Sequence, residues 1–309
     1  MPNDNKFPES RQKEYLRDLH FATLVERKIA TGRELAYLGL PSADMLDIKL
    51  WRSVLHHITA VEQDPSLVLP MHRTAIRLGV DKKIIVIEKD LNDVAALLSM
   101  DEKSAKLSLA QLSLSEQVKI RRARSIGYDV INLDPYGGFL YPTDAVDKNT
   151  ELLKNFIQFQ SRHNHSFMLI ITFELRDTGR DHYLEFINTT LELLSSQGVD
   201  VAKTKEWYTA EKGKHPSPTL RRMKFCVPIF LLKIAYDSFQ VKSCGAWQYK
   251  NYYHTALFFE ARSTKNVLGV SPYPPVDQCK EIINRPVIHV EVRDSSQIEL
   301  SEIESPPLL

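Results

Sequence analysis

Short apolar runs alternate with helical segments through most of this 309-residue chain, and this alternation constrains the fold more than any other feature. Helical periodicity is clear, for example, from Ser66 to Leu78, where Gly79 closes the segment. Strands joined by helices and buried on both faces form parallel βαβ units. The pattern therefore predicts an α/β fold: a mainly parallel sheet with helices on both faces. The runs with strand character are 35–40, 58–61, 84–87, 129–133 and 166–173.

The later part of the chain predicts how this sheet ends. Two longer apolar runs, 225–236 and 253–261, have no helix of length between them and are joined by a segment that contains Gly245. They predict an antiparallel hairpin at the sheet edge, which gives seven strands in all. The remainder is Pro-rich and then acidic and Ser-rich, which predicts a loose tail. We therefore divide the chain into an N-terminal helical extension (1–34), an α/β domain (35–262) and a C-terminal tail (263–309).

Composition and charge narrow the class of protein. The 40 Lys and Arg residues balance 39 Asp and Glu residues, and the net charge of +1 gives no global electrostatic case for nucleic acid or a membrane surface. Hydrophobic residues make up 43% of the chain, as in ordinary globular proteins. No apolar run approaches the roughly 18 residues of a membrane helix, and the start has no apolar signal core. We expect a soluble, cytoplasmic protein.

Cysteines and histidines give no pattern of a metal site. Cys226, Cys244 and Cys279 are widely spaced and odd in number, which predicts reduced structural thiols instead of a disulfide framework. The histidine pairs at 56–57 and 163–165 lack an acidic or cysteine partner at ligand spacing. No metal site is predicted.

Candidate ligand-binding residues follow the predicted strands, because open parallel sheets bind ligands beyond the carboxyl ends of their strands. Gly39 follows the first strand in a turn that leads into a helix, which is predicted from Pro41 to about His56 with Ser42 as its N-cap. Glu62 ends the second strand about 20 residues later, where an acidic side chain can bind both hydroxyls of a ribose; a solvated strand end is the alternative. Asp90 follows the third strand and can accept a hydrogen bond from an adenine amine, and Glu88 and Asp93 compete with it for this role.

The fourth strand contains Asn132 and runs into Asp134, Pro135, Tyr136 and Gly137. An exocyclic amine on a base is a poor nucleophile because its lone pair is delocalised into the ring. A carboxylate that accepts one N–H, with the proline carbonyl accepting the other, restores electron density to the nitrogen. The tyrosine ring can stack on an extruded base, a contact worth roughly 1–3 kcal/mol. The alternative is an ordinary turn, since Asp, Pro and Gly all favour one.

The order of the strands and the segments 60–65 and 132–137 resemble class I S-adenosylmethionine-dependent methyltransferases over about residues 35–262. The Asp-Pro-Tyr-Gly element is similar to the signature of amino-methyltransferases that act on nucleic acid bases, in particular tRNA guanine-N2 dimethyltransferases. The resemblance implies a Rossmann-like seven-stranded sheet and S-adenosylmethionine as cofactor. It also implies methyl transfer to an exocyclic amine of a base, with RNA favoured over DNA. By resemblance, the cofactor-binding residues are Gly39, Ser42, Glu62, Asp90 and Asn132, and the catalytic residues are Asp134, Pro135 and Tyr136.

The sequence departs from this family at two points. The first loop, residues 38–43, has a single glycine where the family has several small residues, so Gly39, Ser42 and Ala43 would have to approach the methionine part of the cofactor. No segment after Arg262 is large enough to match the second domain of the tRNA enzymes. These departures also fit an alternative function: a catalytically silent methyltransferase-like scaffold that binds a nucleotide or a protein partner within an assembly.

Two basic stretches, Lys119–Arg124 and Lys203–Lys224, are the remaining candidates for a functional surface. In the second, cations are interleaved with Trp207, Tyr208 and His215. Cations that contact phosphate, together with aromatic rings that stack on bases, are typical of single-strand or loop recognition. We therefore predict that Lys203–Lys224 contacts nucleic acid, and we interpret Lys119–Arg124 as a solvated face.

Overall fold

The computed structural model describes residues 11–135, 146–175, 180–210, 217–262, 276–293 and 297–303. Within these ranges the protein has eleven helices and nine strands. The strands are β1 (Leu35–Gly39), β2 (Leu55–Glu62), β3 (Ile84–Glu88), β4 (Val130–Leu133), β5 (Phe167–Glu174), β6 (Phe239–Tyr249), β7 (Tyr252–Ala261), β8 (Val287–Arg293) and β9 (Gln297–Ile303). The helices are α1 (Arg11–Thr31), α2 (Leu46–Trp51), α3 (Pro65–Leu78), α4 (Leu91–Ser99), α5 (Glu102–Leu109), α6 (Leu114–Arg124), α7 (Val146–His163), α8 (Arg180–Ser196), α9 (Ala202–Thr209), α10 (Pro218–Ala235) and α11 (Val276–Asn284).

All nine strands form one sheet in the order β3-β2-β1-β4-β5-β7-β6-β8-β9. Strands β1 to β5 pair in parallel, β7 runs antiparallel to both β5 and β6, and β8 pairs in parallel with β6. Strands β2 and β3 follow on one side of β1, whereas β4 and β5 lie on its other side, so the strand order reverses between β1 and β4. The predicted α/β class is confirmed, with a mainly parallel sheet, helices on both faces and an antiparallel hairpin, β6–β7.

Local sequence signals account for several helix ends. The Asp64 side chain accepts a hydrogen bond from the backbone N–H of Ser66 at 2.9 Å and so caps α3, which ends at Gly79 with a φ of 69°. That left-handed conformation suits glycine. Ser113 and Glu116 form a reciprocal capping box at the start of α6. The helix predicted from Ser66 to Leu78 is therefore confirmed with its cap.

The predicted count of seven strands and the predicted loose tail are wrong. Helix α11 and strands β8 and β9 lie in the segment expected to be loose, and β8 and β9 extend the sheet from seven strands to nine. Apolar residues of this segment explain the difference, because Ile282, Ile283 and Val287 are buried in the same core as the main domain.

The predicted strand 225–236 is also wrong, because these residues belong almost entirely to helix α10. A continuous apolar run has the same appearance in a buried strand and in a helix that is buried on all sides. Nearly all of α10 is buried, which explains why it shows no amphipathic period. The partner of β7 in the hairpin is β6, and Gly245 lies inside β6, where the ring of Trp247 packs over it.

The helix predicted after the first strand is shorter than expected. It was predicted to run from Pro41 to about His56 with Ser42 as its cap, but α2 covers only Leu46–Trp51. Ser42 has a φ of 54° and lies in a turn before the helix. His56 instead belongs to β2, because the strand starts at Leu55.

Two hydrophobic layers cover the sheet. Helices α1, α2 and α3 pack on one face, and α4, α6, α7, α8, α10 and α11 contribute to the larger core on the other. Buried residues of the first layer include Leu24, Tyr37, Trp51, Val130 and Ile170, and those of the second include Leu38, Ile131, Phe156, Leu169 and Leu231. Among the described residues, no helix is long and apolar enough to cross a membrane.

A buried carboxylate, Asp129, ties α1 and β1 to the start of β4. Both guanidinium nitrogens of Arg33 donate to it at 2.8 Å, the backbone N–H of Ala36 donates at 2.8 Å, and His165 Nε2 lies 3.0 Å away. Burial by itself would raise the pKa of Asp129, but the hydrogen bonds from His165 and Arg33 outweigh burial and hold the pKa at about 2. The carboxylate is therefore ionised throughout the physiological range.

Candidate active site at the carboxyl edge of the sheet

The carboxyl ends of β1, β2 and β4 meet at one edge of the sheet. Gly39 pairs with Ala60 of β2 and with Asn132 of β4, and Glu62 pairs with Glu88 of β3. The strand order reverses between β1 and β4, and ligands of open α/β sheets bind beyond the carboxyl ends of the strands at such a reversal. The structure therefore brings most of the predicted site residues to the expected place.

Asp134 lies one residue past the end of β4, and half of its side chain (50%) is exposed. Lys13 of α1 places its Nζ 3.5 Å from Asp134 Oδ2. Partial desolvation raises the pKa of Asp134, the Lys13 ammonium opposes this rise, and the nearby Asp47 carboxylate adds to it. Of the other two predicted catalytic residues, Pro135 is half-buried and Tyr136 lies outside the described residues.

The side-chain nitrogen of Asn132 is hydrogen-bonded within the protein. Its Nδ2 donates to Asp47 Oδ2 at 2.7 Å, and Arg17 Nε donates to Asp47 Oδ1 at 2.6 Å. Burial raises the pKa of Asp47, and the Arg17 guanidinium opposes that rise. This network connects α1, α2 and the end of β4, so that Asn132 positions the strand end on which Asp134 follows.

Gly39 is required by the packing of its own strand. A Cβ atom at this position would lie 2.3 Å from Tyr37 Oη and 2.6 Å from the backbone oxygen of Asn132. Tyr37 is fully buried, its ring makes an edge contact with Trp51, and its hydroxyl forms no hydrogen bond within the described part of the chain. Burial, and next the charge of Asp47, raise the pKa of Tyr37. The absence of a side chain at Gly39 is thus explained without a cofactor.

The loop after β1 has an unusual backbone. Ser42 and Met45 have φ values of 54° and 50°, in the left-handed region that non-glycine residues rarely occupy. Leu40 is half-buried against the larger core, and Ser42 is exposed. An open cavity of about 530 Å³ lies between this loop and α3, but Gly39, Glu62 and Asp134 do not line it. Its lining residues are Ala43, Asp44, Pro70, Arg73, Thr74, Ile76 and Arg77.

Each of the two predicted adenosine contacts uses one carboxylate oxygen in a local hydrogen bond. Glu62 is half-buried and its Oε1 accepts from the backbone N–H of Asp64 at 2.9 Å, whereas the described residues offer no hydrogen bond to its Oε2. Asp90 caps α4, and its Oδ1 accepts from both the backbone and the side-chain nitrogen of Asn92 at 2.8 and 3.0 Å. Glu62 Oε2 and Asp90 Oδ2 accept no hydrogen bond from the described residues, so each carboxylate keeps one oxygen for a ligand, although Asp90 also caps α4.

A buried chain of polar side chains on the sheet face that α1 covers was not predicted. His254 Nδ1 lies 2.8 Å from Thr172 Oγ1, and His254 Nε2 lies 2.8 Å from His20 Nε2 of α1. Burial lowers the pKa of His20 to about 3, and burial followed by the charges of His20 and Lys13 lowers the pKa of His254. One sequence signal could have found this contact, because His20 lies on the α1 face that also carries Lys13 and Arg17, at helical spacing.

The predicted nucleic-acid contact through Lys203–Lys224 is wrong for its last three cations. Arg221, Arg222 and Lys224 are only 6%, 1% and 4% exposed, because α10 is buried. Arg221 donates to the backbone oxygens of Trp207 and Ala210 at 3.0 and 2.8 Å. These cations therefore serve packing. Residues 211–216 lie outside the described residues, and Lys203 on α9 is exposed.

The cysteines and histidines form no cluster that could bind a metal within the described residues. Cys226 and Cys279 are buried, Cys244 is exposed, and all three are free thiols.

No protein-family model and no curated protein sequence matches this chain. Among solved structures, Trm1 from Pyrococcus horikoshii in complex with S-adenosyl-L-methionine aligns with 96% of this chain at 10% identity and a TM-score of 0.46, and this chain spans 64% of its length. Magnesium protoporphyrin IX methyltransferase (ChlM) from Synechocystis PCC 6803 with bound SAM aligns over 81% of this chain and 80% of its own at 14% identity, with a TM-score of 0.40. A SAM-dependent methyltransferase from Agrobacterium tumefaciens aligns over 57% and 50% at 15% identity, with a TM-score of 0.35. At these scores the similarities carry no argument about activity, substrate or cofactor.

Proposed function

We propose that this chain binds S-adenosylmethionine at the carboxyl edge of β1, β2 and β4 and transfers its methyl group to an exocyclic amine of a nucleic acid base, RNA in preference to DNA. The observation that carries the proposal is the position of Asp134. Its half-exposed carboxylate follows β4 directly and lies at the reversal of strand order next to β1. Ligands of open parallel sheets bind at that point.

The residues at this edge fit the cofactor in part. Glu62 would hold the ribose through Oε2, the oxygen to which no described residue donates. Ser42 is exposed in the loop after β1 and could approach the methionine end. When bound, S-adenosylmethionine supplies an electrophilic methyl group on its sulfonium, so the transfer requires no metal.

Two features of this chain would act on the amine. Asp134 would accept one N–H and the carbonyl of Pro135 the other, which localises the nitrogen lone pair toward the methyl group. The Lys13 ammonium opposes the rise in the pKa of Asp134 and so favours the ionised form that can accept. The network of Arg17, Asp47 and Asn132 would position this turn by fixing the end of β4.

A second candidate function, a catalytically silent scaffold, is favoured by the packing around Gly39. Tyr37 Oη and the Asn132 backbone oxygen already fill the space on the sheet face next to this glycine. Lys13 is paired with the carboxylate that a substrate amine would need. In this alternative, the carboxyl edge of the sheet connects the sheet to α1 and binds a partner without catalysing a reaction.

Mass spectrometry of nucleosides from RNA incubated with the protein and S-adenosylmethionine tests the proposal. The parental protein should add a methyl group to a base amine. Asp134→Ala should slow the reaction by roughly 10²-fold or more, about 3 kcal/mol, because the positioned acceptor is lost. Cofactor affinity should change little, since Asp134 meets the substrate.

Two further variants serve as controls in the same assay. Glu62→Ala should weaken cofactor binding by about 1–3 kcal/mol, the contribution of a hydrogen bond to a charged group. Glu192→Ala, which removes an exposed carboxylate on α8 away from the proposed site, should leave rate and affinity unchanged. An Asp134→Ala variant that methylates at the parental rate would contradict the role of Asp134, and a parental protein that produces no methylated nucleoside would favour the scaffold.

A further inference from the structure

Cations line the amino edge of the sheet, opposite to the candidate active site. They precede the first five strands of the sheet or end the helices that lead into them. We call six of these cations the basic edge: Arg33, Arg52, Lys83, Arg122, Arg124 and Arg162. Asp129 at this edge and Asp134 at the other are separated by the length of β4, about 16 Å at 3.3 Å per residue. The basic edge is therefore a separate surface.

Contacts between neighbouring segments make the basic edge continuous. Lys83 Nζ donates to the backbone oxygen of Leu55 at 2.8 Å, at the start of β2. Across β1 and β4, Arg33 lies 3.2 Å from His165 Nε2. His163 Nε2 in turn lies 3.1 Å from the backbone oxygen of Arg124. The cations thus form a row across the five neighbouring strands β3, β2, β1, β4 and β5, about 19 Å wide at the usual strand spacing.

Cations outnumber carboxylates in this row. The segments 27–34, 52–57, 81–83, 121–129 and 162–166 carry ten Arg and Lys residues and three acidic residues, Glu34, Asp81 and Asp129. Within the basic edge, Arg33 pairs with Asp129, Lys83 with Glu34, and Arg124 with Glu102. The other three cations, Arg52, Arg122 and Arg162, form no ion pair with a carboxylate among the described residues. The chain as a whole has a net charge of only +1. The charge is therefore concentrated at this edge.

Helix ends explain some of these cations but not all of them. Arg124 donates to the backbone oxygens of Leu98 and Met100 at 3.1 and 2.8 Å, where α4 ends, and Arg162 donates to the same two oxygens. Such a helix end carries about half a negative charge, so it offsets less than one of the two cations. The exposed Arg122 contacts no carboxylate among the described residues.

The histidines of this edge respond to the positive field. Burial, and next the charges of Arg122 and His56, lower the pKa of His57 to about 4. Burial also lowers the pKa of His163, and the charges of Arg162 and Arg124 act in the same direction. Both histidines are therefore neutral at physiological pH, and the charge of the edge comes from Arg and Lys.

We propose that the basic edge binds the phosphate backbone of a nucleic acid. Protein–protein interfaces have an apolar centre, whereas Ile29 is the only large exposed hydrophobic residue that the described part of these segments contains. A row of guanidinium and ammonium groups without an apolar centre suits phosphate contacts, which position a nucleic acid without reading its sequence. The proposal does not depend on methyl transfer, because it concerns the opposite edge of the sheet.

Fluorescence anisotropy with a labelled single-stranded RNA of mixed sequence, measured between about 50 and 200 mM salt, tests this surface. The test variant is Arg121→Glu/Arg122→Glu, which reverses two exposed charges at the end of α6. The matched control is Lys203→Glu/Lys205→Glu on α9, where the sequence predicted the contact. Urea denaturation of both variants, and of Arg121→Gln/Arg122→Gln, establishes that they are folded.

The parental protein should bind the RNA with an affinity that falls with salt, by a slope of about −0.7 per phosphate contact. The test variant should bind roughly 10-fold or more weakly with a shallower slope, and the control should stay within about 2-fold of the parent. The proposal is overturned if the parent shows no salt-dependent binding, if the control loses as much affinity as the test variant, or if the parent binds phosphatidylserine vesicles but no RNA. Calorimetry with S-adenosylmethionine distinguishes the two proposals. The test variant should bind S-adenosylmethionine as the parent does. A parent that binds RNA but no S-adenosylmethionine contradicts only the proposed methyl transfer.

Discussion

Lowering the pH from about 7.5 to 5 should destabilise this protein through the buried histidine pair of α1 and β7. His20 and His254 are 3% and 6% exposed, and their Nε2 atoms lie 2.8 Å apart. One ring donates to the other only while at least one of them is neutral. Since burial lowers both pKa values in the folded state, the pair stays neutral there at pH 5, whereas the unfolded chain takes up protons.

The sign and size of the effect follow from these pKa shifts. A folded-state pKa below the unfolded value gives stability that is fully present above pH 6.5 and is lost as the pH falls from 6.5 toward about 3. At pH 5, which is about 1.5 units below the unfolded pKa, protonation of His20 in the unfolded chain lowers the free energy of unfolding by about 2 kcal/mol, at 1.36 kcal/mol per unit. His254 adds to the loss in the same direction.

Urea denaturation at the two pH values measures this loss, with His20→Gln as the test variant. An amide can still hydrogen-bond to His254 but takes up no proton, so the pH-dependent loss should shrink by about 2 kcal/mol. The variant should also be less stable at neutral pH, because the edge contact between His20 and Trp247 is lost. His72→Gln, which replaces an exposed histidine on α3, is the matched control and should keep the parental pH dependence. Equal losses in the parent and His20→Gln would refute the reasoning.

Two further substitutions test the anchoring of β4 and the packing of β1. Asp129→Asn should destabilise the protein by about 1–3 kcal/mol in urea denaturation, because an amide cannot accept all the hydrogen bonds that Arg33, Ala36 and His165 direct to the buried carboxylate; an unchanged stability would contradict the structure. Gly39→Ala should cost about 1–3 kcal/mol, because the new Cβ overlaps Tyr37 Oη and the Asn132 backbone oxygen. Adding Tyr37→Phe should recover part of that loss, and a Gly39→Ala variant of parental stability would argue against the close packing.

Local sequence patterns were sufficient to predict the parallel half of the fold. The runs 58–61 and 84–87 lie inside β2 and β3, and the helix from Ser66 to Leu78 was predicted almost to its ends. In each case, periodicity and capping residues act within a few positions of the chain. Gly79 shows this directly, since the left-handed φ that ends α3 is a property of that single residue.

The errors lie where tertiary contacts decide the structure. Helix α10 was predicted in part as a strand because burial on all sides removes the helical period. Arg222 was predicted as part of a nucleic-acid surface, yet it is buried, and a sequence shows charge without showing exposure. The pairing of β8 with β6 joins segments about 40 residues apart and so leaves no local signal.

The candidate site shows the same division between local and tertiary information. Glu62 and Asp134 were placed at the correct sheet edge because both follow strands directly. The partners Lys13 and Asp47 were missed, since they belong to α1 and α2, far away in sequence. Helix capping by Asp90 could have been recognised from its position before α4.

Isothermal calorimetry with S-adenosylmethionine tests the proposed function most directly. The parental protein should bind the cofactor at micromolar concentration at one site, and Glu62→Gln should weaken binding because a neutral amide accepts more weakly from the ribose hydroxyls than a carboxylate. Glu192→Gln, which neutralises an exposed carboxylate on α8, should bind as the parent does. An absence of heat at saturating S-adenosylmethionine, with the parent folded by urea denaturation, would contradict the proposed methyl transfer.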